Sequence, residues 1–115
     1  MRNRRKIKRR YLMFYSRVFN AQTRELVGHL VDITPQGAML ISEAPLPTNT
    51  MFQLKMELSE DIADKPYLEF GAKSLWCQQD IDPHFYNTGF QLLDVPSQDV
   101  EIIQRIVEAY GFRDN

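Results

Sequence analysis

A single cysteine, Cys77, stands among 115 residues, so no internal disulfide is possible, which agrees with a reducing, cytoplasmic compartment. No window approaches the roughly 18 consecutive apolar residues that a transmembrane helix needs. The basic N-terminus is not followed by the apolar core and small-residue cleavage site of a secretory signal. Neither standard glycine-rich phosphate loop is present. There are two histidines, His29 and His84, each inside or beside an expected strand, where a packed or surface role is the plain reading. Cys77 follows Trp76 in an apolar run and reads as a small buried hydrophobe. Asp80, Asp82 and His84 are of metal-ligating type, but no further ligand stands at a recognisable spacing. No catalytic residue, metal site or cofactor is therefore expected.

What is present is a strong charge asymmetry hidden by a net charge of −1. Eight of the 14 basic residues (Arg2, Arg4, Arg5, Lys6, Lys8, Arg9, Arg10 and Arg17) precede Val18, and no acid occurs before Glu25. The remainder holds six bases against all 15 acids. A positive arm is joined to an acidic body. Such an arm can bind an anion, pack onto its own domain or stay solvated, and composition does not choose among these.

With 43% hydrophobic residues the chain can bury one core, so a single domain is expected over residues 11–115. Residues 1–10 have almost nothing to bury and read as a flexible arm. Strands are expected at Tyr11–Phe19, Leu26–Ile33, Ala38–Ile41, Met51–Leu58, Tyr67–Cys77 and Phe85–Leu93, with Gly71 and Gly89 as candidate bulges. Thr34-Pro35-Gln36-Gly37 suits a type I turn between the second and third. After Pro96 the apolar period becomes helical (Val100, Ile103, Ile106, Val107, Tyr110), predicting a helix over about 97–110 with Ser97 or Asp94 as cap and Gly111 as stop. Trp76, Phe85, Phe90 and Tyr110 are assigned to the core. The fold class is mostly β: a small six-stranded antiparallel barrel closed by one C-terminal helix.

Two segments stand out. One is Arg4-Arg5-Lys6-Ile7-Lys8-Arg9-Arg10; the other is Asp32-Ile33-Thr34-Pro35-Gln36-Gly37. Arg-x-x-x-Arg at Arg5 and Arg9, followed one hairpin later by Asp-x-Thr-x-x-Gly at Asp32, Thr34 and Gly37, resembles the PilZ family of cyclic di-GMP receptors. The resemblance extends through Leu75-Trp76, Thr88-Gly89-Phe90-Gln91 and the closing helix. It implies a bacterial, non-enzymatic second-messenger receptor that closes its arm on the ligand and alters contacts with an effector protein. It also implies ligand-binding roles for Arg4, Arg5, Arg9, Asp32, Thr34 and Gly37. In the family, arginine just before the first motif arginine accompanies a stacked ligand pair; Arg4 implies two cyclic di-GMP molecules per chain. Thr34 departs from the usual serine, keeping the hydroxyl but adding a methyl that stiffens its rotamer.

The residue chemistry suits such a ligand. An arginine fork can donate to both guanine O6 and N7 or clamp a phosphate, and a carboxylate can accept from the opposite, N–H-bearing edge. Each residue also has a structural role open to it. Arg5 and Arg9 can be a solvated charge run, with Lys6, Lys8 and Arg10 adding general positive potential. Asp32 and Thr34 can cap a turn through nearby amides. Two further functions remain: a nucleic-acid binder tracking phosphates with the arm, disfavoured by the acidic body, and a protein-interaction barrel with a degenerate ligand site. Docking of the arm on anionic lipid has charge in its favour but little apolar anchor.

Overall fold

The computed structural model describes residues 16–110, without the side chain of Tyr110. Residues 1–15 and 111–115, which carry Arg4, Arg5, Arg9, the start of the expected first strand and Gly111, lie outside the described residues. The strands are β1 (Arg17–Asn20), β2 (Leu26–Ile33), β3 (Gly37–Ser42), β4 (Met51–Glu57), β5 (Tyr67–Gln79) and β6 (Tyr86–Leu93), followed by helix α1 (Ser97–Tyr110). They close into an antiparallel barrel in the order β1-β2-β3-β6-β5-β4, with β4 returning to β1. This is the fold class that the alternating apolar pattern and the late change of period predict.

The alternation of β4 shows why the sheet closes. Leu54 and Met56 are buried while Met51 is 64% exposed, so one face of each strand goes to a common interior. Ile102, Ile103, Ile106 and Val107 of α1 join Leu30, Leu54 and Phe90 in the same apolar cluster. Each fully buried aliphatic side chain contributes about 1.5–3 kcal/mol, enough for α1 to be held by packing rather than by helix propensity. The helix opens on the Pro96 carbonyl, which accepts from Asp99 N at 2.9 Å and Val100 N at 3.0 Å. Neither expected cap takes that position, and Asp94 instead adopts a left-handed φ of 50° in the connection. Arg105 donates to the Ile62 carbonyl at 2.9 Å and Lys65 reaches Asp99 at 3.3 Å, tying the acidic 59–66 connection to α1.

Some side chains lie where the sequence places them and others do not. Phe90 is in the core, edge-to-face with Phe52 at 5.5 Å, and Phe85 is half-buried. Trp76 is not in the core: it is 40% exposed. Cys77 is half-buried rather than enclosed. Gly71 sits in regular register opposite Gln53 and Leu93. At Gly89 there is an irregularity, but the extra residue is on the partner strand, where Leu75 is inserted between the Ser74–Phe90 and Trp76–Gly89 pairs.

Candidate functional site

Two bulges place the side chains of interest. In β2, Leu30 pairs with Leu40 and Asp32 with Met39, leaving Val31 as an extra residue. Leu30 is buried inside the barrel, so strict alternation would turn Asp32 inward as well. The inserted Val31 reverses the parity, sending Ile33 into the core and Asp32 outward. Leu75 does the same in β5: Ser74 is fully buried, and the inserted residue turns Trp76 to the outer face.

The result is one line of residues across four strands. Asp32 pairs with Met39, Met39 with Gly89, and Gly89 with Trp76. With strands about 4.8 Å apart, Asp32 and Trp76 are separated by about 14 Å along the curved surface. The Trp76 ring lies directly over Gly89, since a Cβ on Gly89 would fall 2.4 Å from ring atoms Cε2 and Nε1. A neighbouring outward line runs Gly37–Gln91–Lys73, which sets a lysine beside the same surface. The chain enters β1 next to β2: the Ser16 carbonyl accepts from Leu30 N at 2.9 Å, two residues before Asp32.

The Thr34–Gly37 turn closes the β2–β3 hairpin at one end of this surface. Thr34 N donates to the Gly37 carbonyl at 2.8 Å and Gly37 N returns to the Thr34 carbonyl at 3.3 Å. The Thr34 hydroxyl accepts from the Gln36 and Gly37 amides at 3.3 and 3.2 Å, and Asp32 Oδ1 accepts from its neighbour Ile33 N at 2.9 Å. These are the local turn bonds that Asp and Thr favour. Gly37 is also required by packing, because a Cβ there would meet the Phe90 carbonyl at 2.9 Å. Asp32, Thr34 and Gly37 are thus brought together, and Trp76 is the residue that sequence reasoning placed wrongly.

Of the eight N-terminal basic residues, Arg17 lies within the described region and is committed to a structural pair. Its Nε and Nη2 donate to the two carboxylate oxygens of Glu57 at 2.9 and 2.7 Å. The bidentate hydrogen bonds raise the Arg17 pKa and hold the Glu57 carboxyl below the ordinary value. His29, opposite Arg17 on β2, is half-buried; desolvation first and the Arg17 charge second push its imidazole down. The Asp80–His84 segment closes the β5–β6 turn: Asp80 accepts from Asp82 N and Asn87 Nδ2, and Asp82 accepts from His84 N. Among the described residues no group of three or more His, Cys, Asp or Glu is placed to hold a metal ion. None of the described helices is long and apolar enough to cross a membrane.

A family model described as PilZ domain matches residues 3–109. No curated protein matches the sequence. Among solved structures, the chain is similar to the Bacillus subtilis inhibitor of motility (MotI/DgrA), with 10% identity and a TM-score of 0.64, covering 87% of this chain and 47% of that one. It is similar to the PilZ domain of Escherichia coli YcgR with c-di-GMP at 17% identity and a TM-score of 0.60, covering 86% of this chain and 82% of that one. The Borreliella burgdorferi PlzA protein in complex with c-di-GMP matches at 10% identity and a TM-score of 0.53, over 98% of this chain and 50% of that one. The chain spans about half the length of the Bacillus and Borreliella proteins. At these identities the likeness shows the fold.

Proposed function

The chain belongs to the PilZ domain family, and from that premise we propose that it is a non-enzymatic, cytoplasmic receptor for cyclic di-GMP. The observation that carries this reading is the pair of bulges that turns Asp32 and Trp76 onto one outer face beside the Thr34–Gly37 turn. Two of the similar structures are described with c-di-GMP, which supports the choice of ligand.

Roles follow from donor and acceptor chemistry. Arg5 and Arg9 supply guanidinium forks to guanine O6 and N7 or to phosphate. Asp32 accepts from the N–H edge of guanine, exchanging a local amide bond for a paired one. Thr34 offers its hydroxyl to a phosphate oxygen, and Gly37 lets the turn backbone lie close to the ligand. Trp76 presents an indole face on which a base can stack, at the far end of the same line from Asp32. Arg4 offsets the charge of a second stacked ligand, giving two molecules per chain. Residues 1–10 close over the ligand from the β1–β2 side, and the altered surface is what an effector protein reads.

Titration of the parent protein with cyclic di-GMP, cyclic di-AMP and GMP, followed through Trp76 emission, tests the reading. Saturable quenching by cyclic di-GMP alone is expected. A response equal for all three ligands, or none with cyclic di-GMP, would overturn it. A second reading, a protein-interaction barrel with a degenerate ligand site, draws on one observation: the Thr34 hydroxyl already accepts from two amides of its own turn. It predicts no binding by the parent and binding restored by Thr34→Ser.

A further inference from the structure

Among the described residues the barrel is closed along most of its length, and one place where it is open is the end of β5. β4 begins at Met51, which pairs with Lys73 of β5. The chain before it makes its last bonds to β5 at Ser74, where Asn49 N donates to the Ser74 carbonyl and Ser74 N donates to the Thr50 carbonyl. Beyond Ser74, β5 continues to Gln79 and, among the described residues, pairs there with β6 alone. Asp80 N donates to the Phe85 carbonyl at 2.9 Å, while Phe85 N turns to the Asp82 carbonyl at 3.0 Å, so Asp80 and Phe85 stand as a hydrogen-bonded pair through one of its two bonds. The antiparallel alternation then makes Gln78–Asn87 and Trp76–Gly89 the next such pairs. The amides and carbonyls of Cys77 and Gln79 therefore point away from β6, toward an edge that β4 does not reach.

An open edge is a template for another strand. We infer that this edge, Leu75–Gln79, pairs antiparallel with the same segment of a second copy of the chain about a two-fold axis at Gln78. This register brings the free backbone groups of Cys77 opposite those of the partner's Gln79, and the reverse, giving four new backbone hydrogen bonds. It sets Leu75, 51% exposed, beside the partner's Ile81, which is 77% exposed in the single chain. Charge selects a second copy in this orientation. The segment Leu75–Gln79 is uncharged, with Lys73 before it and Asp80 and Asp82 after it, so antiparallel self-pairing brings the basic end of each copy to the acidic end of the other. A parallel pairing would set like against like. The interface is small and the dimer accordingly weak and reversible.

The register makes a cysteine test specific. Gln78 faces the partner's Gln78 in a non-hydrogen-bonded pair with Cα atoms about 4.5 Å apart, within the disulfide range of about 4.4–6.8 Å. Cys77 is diagonal to its own copy at about 7–8 Å and does not bridge. Under mild oxidation, Cys77→Ser/Gln78→Cys should form a disulfide dimer at least about tenfold faster than Cys77→Ser/Gln104→Cys, whose cysteine lies on the exposed face of α1. Gln78→Lys in the parent sets two like charges across the axis and should leave a monomer in sedimentation, while an equimolar mixture with Gln78→Glu should restore the dimer. Equal oxidation rates for the two cysteine variants, failure of the mixture to associate, or a monomeric parent up to about 1 mM would each overturn the inference.

Discussion

Replacing Gly89 with alanine sets this position against the tryptophan that covers it. The built Cβ falls 2.4 Å from Cε2 and Nε1 of Trp76, whereas carbon atoms in ordinary contact are about 3.5–4.0 Å apart. The ring must retreat by about 1 Å or swing off the strand. Trp76 is already 40% exposed, so it has solvent to move into, and the cost should sit at the low end of the about 1–3 kcal/mol that overpacking brings. Gly28→Ala is the contrasting case. Its Cβ would meet the Ile41 carbonyl oxygen at 2.5 Å, a backbone atom of a paired strand that cannot rotate away, so that variant belongs at the upper end. At about 4–8 °C per kcal/mol for a domain near this size, thermal unfolding followed by circular dichroism separates the two. Because Trp76 is the single tryptophan, its emission reports the ring directly: Gly89→Ala should shift it to the red and weaken cyclic di-GMP binding. Gly28→Ala should leave the native emission in place. If Gly89→Ala melts as low as Gly28→Ala, or leaves the emission unmoved, the ring is not seated on Gly89 and the account of this face is wrong.

Other outcomes follow from the charges. His29 is held below its ordinary value of 6.5, so the unfolded chain takes up a proton there that the folded chain resists. Its unfavourable effect is absent above that value and grows as pH falls below it; His29→Gln should flatten that part of a urea-stability profile, and an unchanged slope would count against it. The Glu57 carboxyl is held low by Arg17, so its contribution is present above the ordinary carboxylate value and is lost as pH falls through the lower folded value; Glu57→Gln should remove that acid-side dependence. Trypsin should cut among Arg2 to Arg10 faster in the free protein than in protein saturated with cyclic di-GMP, and equal rates would refute arm closure. Arg4→Leu should lower the calorimetric stoichiometry from two toward one while keeping a first binding event; a ratio of one for the parent would rule out the stacked pair.

The barrel was legible because its interior is written in period two and its helix in a longer period, and both are properties of local sequence. The motif residues Asp32, Thr34 and Gly37 were legible because a short turn keeps them together. Trp76 was not. In Ser74-Leu75-Trp76-Cys77 the tryptophan shares the parity of buried Ser74, Ala72 and Phe70, and only the inserted Leu75 reverses it. A bulge is a property of two paired strands, so its position depends on register against β6 and leaves no mark in the β5 sequence alone. The far end of β5 was missed for a related reason. Gln78 and Gln79 are held in the strand by pairing with Asn87 and Tyr86 rather than by an apolar side. The helix bounds were legible, but its cap was not, because Pro96, which has no capping side chain, supplies the carbonyl that begins the ladder.

Isothermal titration calorimetry with cyclic di-GMP, on the parent and on Arg5→Ala, Arg9→Ala and Asp32→Ala, decides whether these three residues hold the ligand. Losing one bidentate contact should cost about 1–3 kcal/mol, or roughly one to two decades of affinity. Each variant should bind more weakly by that amount while melting within about 1–2 °C of the parent in the absence of ligand. Three variants that all bind like the parent would contradict the assignment of the site.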